Sequence, residues 1–280
     1  MTVSASSPSG RLGDTTARDY SRKLQLFNAF AELELRRAIR GLDLRPGMRI
    51  LDAGCGSGEA LRWFCDEMGE GTVVGIDLAA AHTRVARTHA PPEALVAQAD
   101  LGQLPFNENS FDLIWSVNTI NHLDDPAESL RRLAGLLRSG GRVALGQSSL
   151  LPDMYFAWDG RLERLTTEAV RQYYRDRYQL DEQSLTDVRA LVGVARRAGL
   201  REVQATTTLI ERVFPLDPNS RTYLSEAIFR DTWGDRLRPY LSGSDHDELR
   251  RLCDPTAPEF ALSRTDFHFL QTFTLVLGRS

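Results

Sequence analysis

Cysteine is scarce in this 280-residue chain, and lysine is almost missing. Cys55, Cys65 and Cys253 are odd in number and not spaced as metal ligands, which excludes a disulfide framework and suggests no metal site. A reduced, cytoplasmic setting fits such sparing use of thiols. Lys23 is the only lysine against abundant arginine, a bias of genome composition rather than of function. Basic charge is not in excess either: Lys plus Arg number 34 against 38 Asp plus Glu, a formal net charge of −4. Nucleic-acid binding needs a basic face to neutralise phosphates, so this balance argues against nucleic acid as a partner. No apolar run approaches the roughly 18–20 residues of a membrane span, and no membrane partner is expected. The opening "MTVSASSPSGRLGD" lacks a charged start followed by an apolar stretch, so it does not read as a secretory signal. Its Ser, Pro and Gly content reads as a disordered tail over residues 1–14. What is present, 42% hydrophobic and 26% charged residues, is the composition of a globular protein long enough for a large core.

Periodicity divides the rest of the chain. Residues 15–45 read as N-terminal cap helices, with Leu24, Phe27, Phe30, Leu33 and Leu35 at roughly helical spacing before Pro46 and Gly47. Over 46–150 short apolar runs such as "MRILDAG", "GTVVGIDL", "EALVAQAD" and "SFDLIWSVN" alternate with helical stretches. "DPAESLRRLAGLLRSGG" reads as one helix ending in a glycine pair, and "RVALGQSSL" as a fifth strand. This alternation predicts an α/β fold, a Rossmann-like, doubly wound and mostly parallel sheet. Beyond Leu151 the rhythm breaks. The sheet is expected to resume over about 186–213 and 266–278, with helical cap insertions over about 151–185 and 214–265.

The stretch "ILDAGCGSG" places Gly54, Gly56 and Gly58 where the first strand hands over to a helix. Such a turn offers backbone N–H groups to a ligand at the carboxyl edge of the sheet, and the missing Cβ atoms let that ligand approach. The dinucleotide fingerprint spaces its glycines at positions 1, 3 and 6, whereas these stand at 1, 3 and 5. Asp52 at the strand end also disfavours a pyrophosphate. It favours an ammonium or hydroxyls instead. Asp77 ends the second strand, a position suited to accept from two ribose hydroxyls, and Asp100 ends the third, where it can accept from an exocyclic amine. An ammonium, a ribose and an adenine without phosphate describe S-adenosylmethionine.

From Ile50 to Leu145 the chain resembles a class I S-adenosylmethionine-dependent methyltransferase. It is most similar to the small-molecule branch with the ubiquinone/menaquinone-biosynthesis and natural-product enzymes. The segments that carry the likeness are "ILDAGCGSG", "VVGIDL", "AQADLGQLPFNENSFDLIWSVNTINHLDDP" and "LLRSGGRVAL", in that order. The resemblance implies that Asp52, Gly54, Gly56 and Gly58 cradle the methionine end and that Asp77 holds the ribose. It implies Leu78 against the adenine, Asp100 on the adenine amine with the Leu101 backbone nearby, and the Ser116 and Val117 backbone beside the sulfonium. It also implies a final strand inserted antiparallel into the sheet, and S-adenosylhomocysteine as product.

In-line displacement from a sulfonium needs alignment and exclusion of water, and a base only when the acceptor must lose a proton. His122 in "NTINHLDDP" is the candidate base or orienter, with a loop residue bonded to backbone as the alternative; Asn118 and Asn121 are candidates to position an acceptor. Tyr20 is the candidate tyrosine brought from the N-terminal segment, with core packing as its alternative. Cys55 reads as a packing residue, and His82, His89, His246 and His268 as surface or packing residues. Tyr155, Phe156, Trp158, Tyr173, Tyr174 and Tyr178, then Phe214, Tyr223, Phe229, Trp233 and Tyr240, are dense on segments expected to overhang the site. Each alone reads more readily as core. Together they suit a small, hydrophobic or aromatic acceptor. A cyclisation that uses the sulfonium only as a fixed charge, and a non-catalytic binding partner, stay open beside methyl transfer, as does a homo-oligomer.

Overall fold

The computed structural model describes residues 20–148, 155–156, 159–178 and 187–280. The tail expected at 1–14 lies outside them, as does Trp158; so do the side chains of Tyr155, Phe156, Asn121 and Tyr178. Among the described residues eight strands form one sheet. They are β1 (Met48–Ala53), β2 (Gly71–Asp77), β3 (Ala94–Gln98), β4 (Phe111–Val117), β5 (Leu137–Ser148), β6 (Tyr155–Phe156), β7 (Arg201–Val213) and β8 (His268–Arg279). Their order is β3-β2-β1-β4-β5-β8, with the short β6 and the long β7 also pairing β8. The first five run parallel. β8 enters antiparallel between β5 and β7.

The central strands are apolar on both sides because helices cover both faces. In β1, Ile50 joins the core on one face and Leu51 that on the other; in β4, Leu113 and Trp115 face one way and Ile114 the other. One layer holds α1 (Ser21–Arg40), α2 (Glu59–Met68), α3 (Ala80–His89) and α5 (Gly160–Tyr178), together with the segment 214–265. The opposite layer holds α4 (Pro126–Gly135) and α6 (Asp187–Arg197), through Leu130, Leu133, Leu191 and Val194. The helical segment 214–265 contains α7 (Pro218–Tyr223), a π-helix (Leu224–Thr232), a 3-10 turn (Asp235–Tyr240) and α8 (Gly243–Cys253). Two helices start with the same signal. Asp125 before Pro126 accepts from Glu128 N–H at 2.9 Å, and Asp217 before Pro218 accepts from Asn219 and Ser220 N–H at 3.0 Å.

Three boundaries differ from the sequence reading. The N-terminal region contains one described helix, α1, rather than several. α4 stops at Gly135, and "LRSGG" belongs to β5 instead of the helix. Leu137 there is drawn into the sheet opposite Phe111, and the ladder shifts register before Leu113, with Gly140 at φ +79° making the turn in the chain. Local helical pattern loses to burial of Leu137 between strands. β3 ends at Gln98, two residues before Asp100, which instead forms an isolated bridge with Gln103.

Candidate active site

The carboxyl ends of β1, β2 and β4 meet above the sheet. There the glycine turn takes a shape that only glycine adopts easily: φ is +89° at Gly54, +52° at Gly56 and +87° at Gly58. Gly54 and Cys55 N–H both donate to Ile76 O, at 2.8 and 2.9 Å, which pins the turn to β2. The space that Cβ atoms would fill is occupied by protein. Thr119 lies against Gly54, Leu24 Cδ1 of α1 stands 2.9 Å from a Cβ at Gly56, and Ala86 Cα of α3 stands 2.9 Å from one at Gly58. The missing Cβ atoms thus let Thr119, α1 and α3 close onto the turn.

Asp52 is buried, at 2% exposure. Burial, then the charges of Asp77 and Glu59, hold its carboxyl well above the ordinary 3.8. Among the described residues no Lys, Arg or His stands within ion-pair distance of it. Glu59 opens α2 and accepts from Ser57 Oγ at 2.7 Å and from Asn28 of α1 at 2.8 Å. Asp77 is half-buried. Its Oδ2 accepts from Gly56 N–H at 3.0 Å and its Oδ1 from Ala79 N–H at 2.9 Å. Three carboxylates therefore crowd one glycine turn. A ligand with an ammonium and hydroxyls would relieve that crowding, and a phosphate would worsen it.

The other expected residues sit around this point. Leu78 follows Asp77 and is half-buried; its carbonyl accepts from Gln98 Nε2 at 3.0 Å. Asp100 is half-buried and accepts from Gly102 N–H at 2.7 Å, beside the buried Leu101. Ser116 is buried and donates to Ala53 O at 2.7 Å, lacing β4 to β1. Val117 O accepts from Thr119 Oγ1 at 3.0 Å. Asn118, at φ +54°, spends its carboxamide oxygen on Ser148 N–H and Oγ at 2.8 and 3.0 Å, joining the ends of β4 and β5. His122 is half-buried in the 3-10 turn Ile120–His122, its N–H donating to Thr119 O at 2.9 Å. Tyr20 leads into α1.

Two residues were missed. Thr119 fills the space above Gly54. His82, read from sequence as surface or packing, is buried in the site with Nδ1 3.1 Å from Asp77 Oδ1. Its other nitrogen accepts from Tyr20 N–H at 3.1 Å. Cys55 packs in the core as expected, and burial pushes its thiol up, followed by the charges of Asp52 and Asp77.

The aromatic residues divide. Tyr223, Phe229 and Trp233 are buried core: Tyr223 stacks on Phe30 at 4.3 Å between ring centroids, and Phe229 on Trp233 at 5.6 Å. Phe214 is exposed at 38%, in contrast to these three. Tyr173, Tyr174 and Tyr240 are only partly buried, and Arg236 lies over the Tyr173 ring at 5.9 Å. Lys23 on α1 is half-buried. Its ammonium is held below the ordinary value, first by burial and then by Arg236, against the opposing pull of Asp231.

A parallel sheet with an antiparallel last strand and acidic residues at the ends of β1 and β2 defines a Rossmann-like site of the methyltransferase kind. Residues 51–145 match the model of a methyltransferase domain. Over these residues the chain is similar to class I S-adenosylmethionine-dependent methyltransferases. The 27-O-demethylrifamycin SV methyltransferase of Amycolatopsis mediterranei is 35% identical over 117 residues, 40% of this chain and 42% of that protein. The methyltransferase GfsG of Streptomyces halstedii is 35% identical over 109 residues, 37% of this chain and 39% of that one. The chain thus matches about two fifths of the length of these relatives. In fold it is similar to the YcgJ protein of Bacillus subtilis, with a TM-score of 0.55 at 18% identity, over 89% of this chain and 99% of that one.

Proposed function

We propose that this protein moves a methyl group from S-adenosylmethionine to an O, N or C atom of a small, largely apolar acceptor. The observation that carries the reading is Asp52: a buried carboxylate, crowded by two others, with no cation beside it among the described residues. An ammonium supplies what that site lacks, and Asp77 beside it suits a ribose diol. When bound, S-adenosylmethionine would supply an electrophilic methyl carbon on a sulfonium. The glycine turn with Asp52 would hold the methionine end, Asp77 the ribose, with Leu78 against the adenine and Asp100 with Leu101 at its amine. Ser116 and Val117 would border the sulfonium. These residues orient the donor, while α1 and the segment 214–265 exclude water, which is most of what an in-line displacement requires.

For the acceptor, the partly buried Tyr173, Tyr174 and Tyr240 offer apolar rings with polar tips. The relative from Amycolatopsis, named for a rifamycin substrate, supports a natural-product acceptor. His122, one turn beyond Thr119, is the candidate to orient the acceptor or take its proton, and Tyr20 the candidate from α1. The test is calorimetry with S-adenosylhomocysteine, then mass spectrometry of candidate acceptors incubated with the donor. Binding and a product heavier by one methylene support the reading. No binding overturns it, and a product of unchanged mass overturns transfer in favour of rearrangement.

A further inference from the structure

His82 lies between two parts of the site that sequence reading kept separate. Tyr20 N–H donates to its Nε2 at 3.1 Å. An amide can only donate, so Nε2 carries the lone pair and the ring proton stands on Nδ1, pointing at Asp77 Oδ1 3.1 Å away. The neutral ring is thereby fixed in one tautomer, bonded to a carboxylate at the end of β2 and to an amide at the entrance of α1. That amide belongs to the set at a helix start without an intrahelical acceptor, and Tyr20 makes no side-chain cap of its own. One turn further, Leu24 of α1 covers Gly56, whose N–H is bonded to the other oxygen of Asp77. α1 therefore meets the donor site twice, directly through Leu24 and through the relay Tyr20–His82–Asp77.

We propose that His82 is a positioning residue that couples the seating of the N-terminal helix to occupancy of the ribose site, by holding the Asp77 carboxylate and the first amide of α1 at once. The inference rests on the reading of Asp77 as the ribose acceptor. With Asp77 held by a diol, its Oδ1 stays aligned with Nδ1–H, and the opposite nitrogen keeps its lone pair for Tyr20. The first turn of α1, residues 20–24, then closes over the glycine turn as the site fills, and loosens when Asp77 is free to move, while the rest of the helix stays in the core. No bond is made or broken in this relay.

The experiment compares wild type, His82→Ala, His82→Gln and Asp77→Ala in the full chain. It reads affinity for S-adenosylhomocysteine by calorimetry and amide exchange over residues 20–30 with and without that ligand. In wild type the ligand is expected to slow exchange in α1. His82→Ala should lose that ligand-dependent slowing and bind about tenfold more weakly, the loss expected for one hydrogen bond to a charged group. His82→Gln, which offers a donor and an acceptor, should recover most of both. Ligand-dependent protection that survives in His82→Ala, or a Gln variant no better than Ala, overturns the proposal. Should His82→Ala fail to fold, the Gln variant decides: protection restored supports the relay, protection absent overturns it. Asp77→Ala separates the two claims. Undiminished affinity there removes the ribose reading itself, whereas lost affinity beside an indifferent His82→Ala removes only the relay.

Discussion

Asp52 shows what a single residue costs and supplies. Its carboxyl is held above 3.8 in the folded chain, so the folded state binds its proton more tightly than the unfolded state does. The stability this gives is complete below 3.8 and is lost as pH rises through the folded value. Asp52→Asn should therefore melt higher than wild type near pH 8 without ligand, while binding S-adenosylhomocysteine far more weakly. Melting curves with and without that ligand check both halves. Asp77→Ala should weaken ligand binding about tenfold or more, because the diol loses its charged acceptor. His122→Ala should slow turnover with ligand affinity nearly unchanged, and wild-type turnover in that variant would leave His122 a loop residue. Asp52 and Asp77 were legible in sequence at strand ends because each closes an apolar run that must be a strand. His82 was not. Within "AAAHTRVARTHA" nothing in the spacing separates a histidine aimed at Asp77 from the exposed His89 one repeat later. Thr119 was equally silent, since its role is the space left by Gly54.

At the scale of elements, α1 is fastened to the far side of the sheet as well as to the glycine turn. Arg212 of β7 donates to Glu34 at 2.9 and 3.0 Å and to Phe30 O at 2.5 Å, and lies 4.7 Å over the Phe30 ring. Glu34 is 5% exposed. Removing its partner leaves a buried charge, so Arg212→Ala should destabilise the fold by about 3 kcal/mol, measured by denaturant unfolding. Arg212→Met with Glu34→Leu should recover much of that loss, which separates the pair's absence from the stranded charge. The strands themselves were readable: β7 is a long run with three Thr and two Val, and β8 one rich in Leu, Phe and Thr. The end of α4 was not, because "GLLRSGG" carries helical spacing and only the pairing of Leu137 with Phe111 decides its state.

Across the whole molecule, α1 and the segment 214–265 share one core with α2 and the sheet. Phe30, Leu35 and Ile39 pack into the same cluster as Phe64, Trp115, Tyr223 and Phe269. Deleting residues 1–40 should uncover that surface, giving dye-binding, poorly soluble protein rather than a separable catalytic core. A truncated chain that melts cooperatively like wild type would show α1 to be an appendage. The sequence conveyed the alternation and parallel sense of the central strands, since strand–helix repeats demand crossover connections. It did not convey how the caps close. Aromatics such as Phe229 and Trp233 look alike in sequence whether they line a cleft or fill an interior, and here they fill it.

Lys23 holds the single ε-amine in this chain, on the helix that closes the site. Burial, then Arg236, holds its ammonium below the ordinary value. Amine-directed acylating reagents thus have one side-chain target, and under the proposed coupling its labelling rate would follow the seating of the first turn of α1, with no engineered probe required.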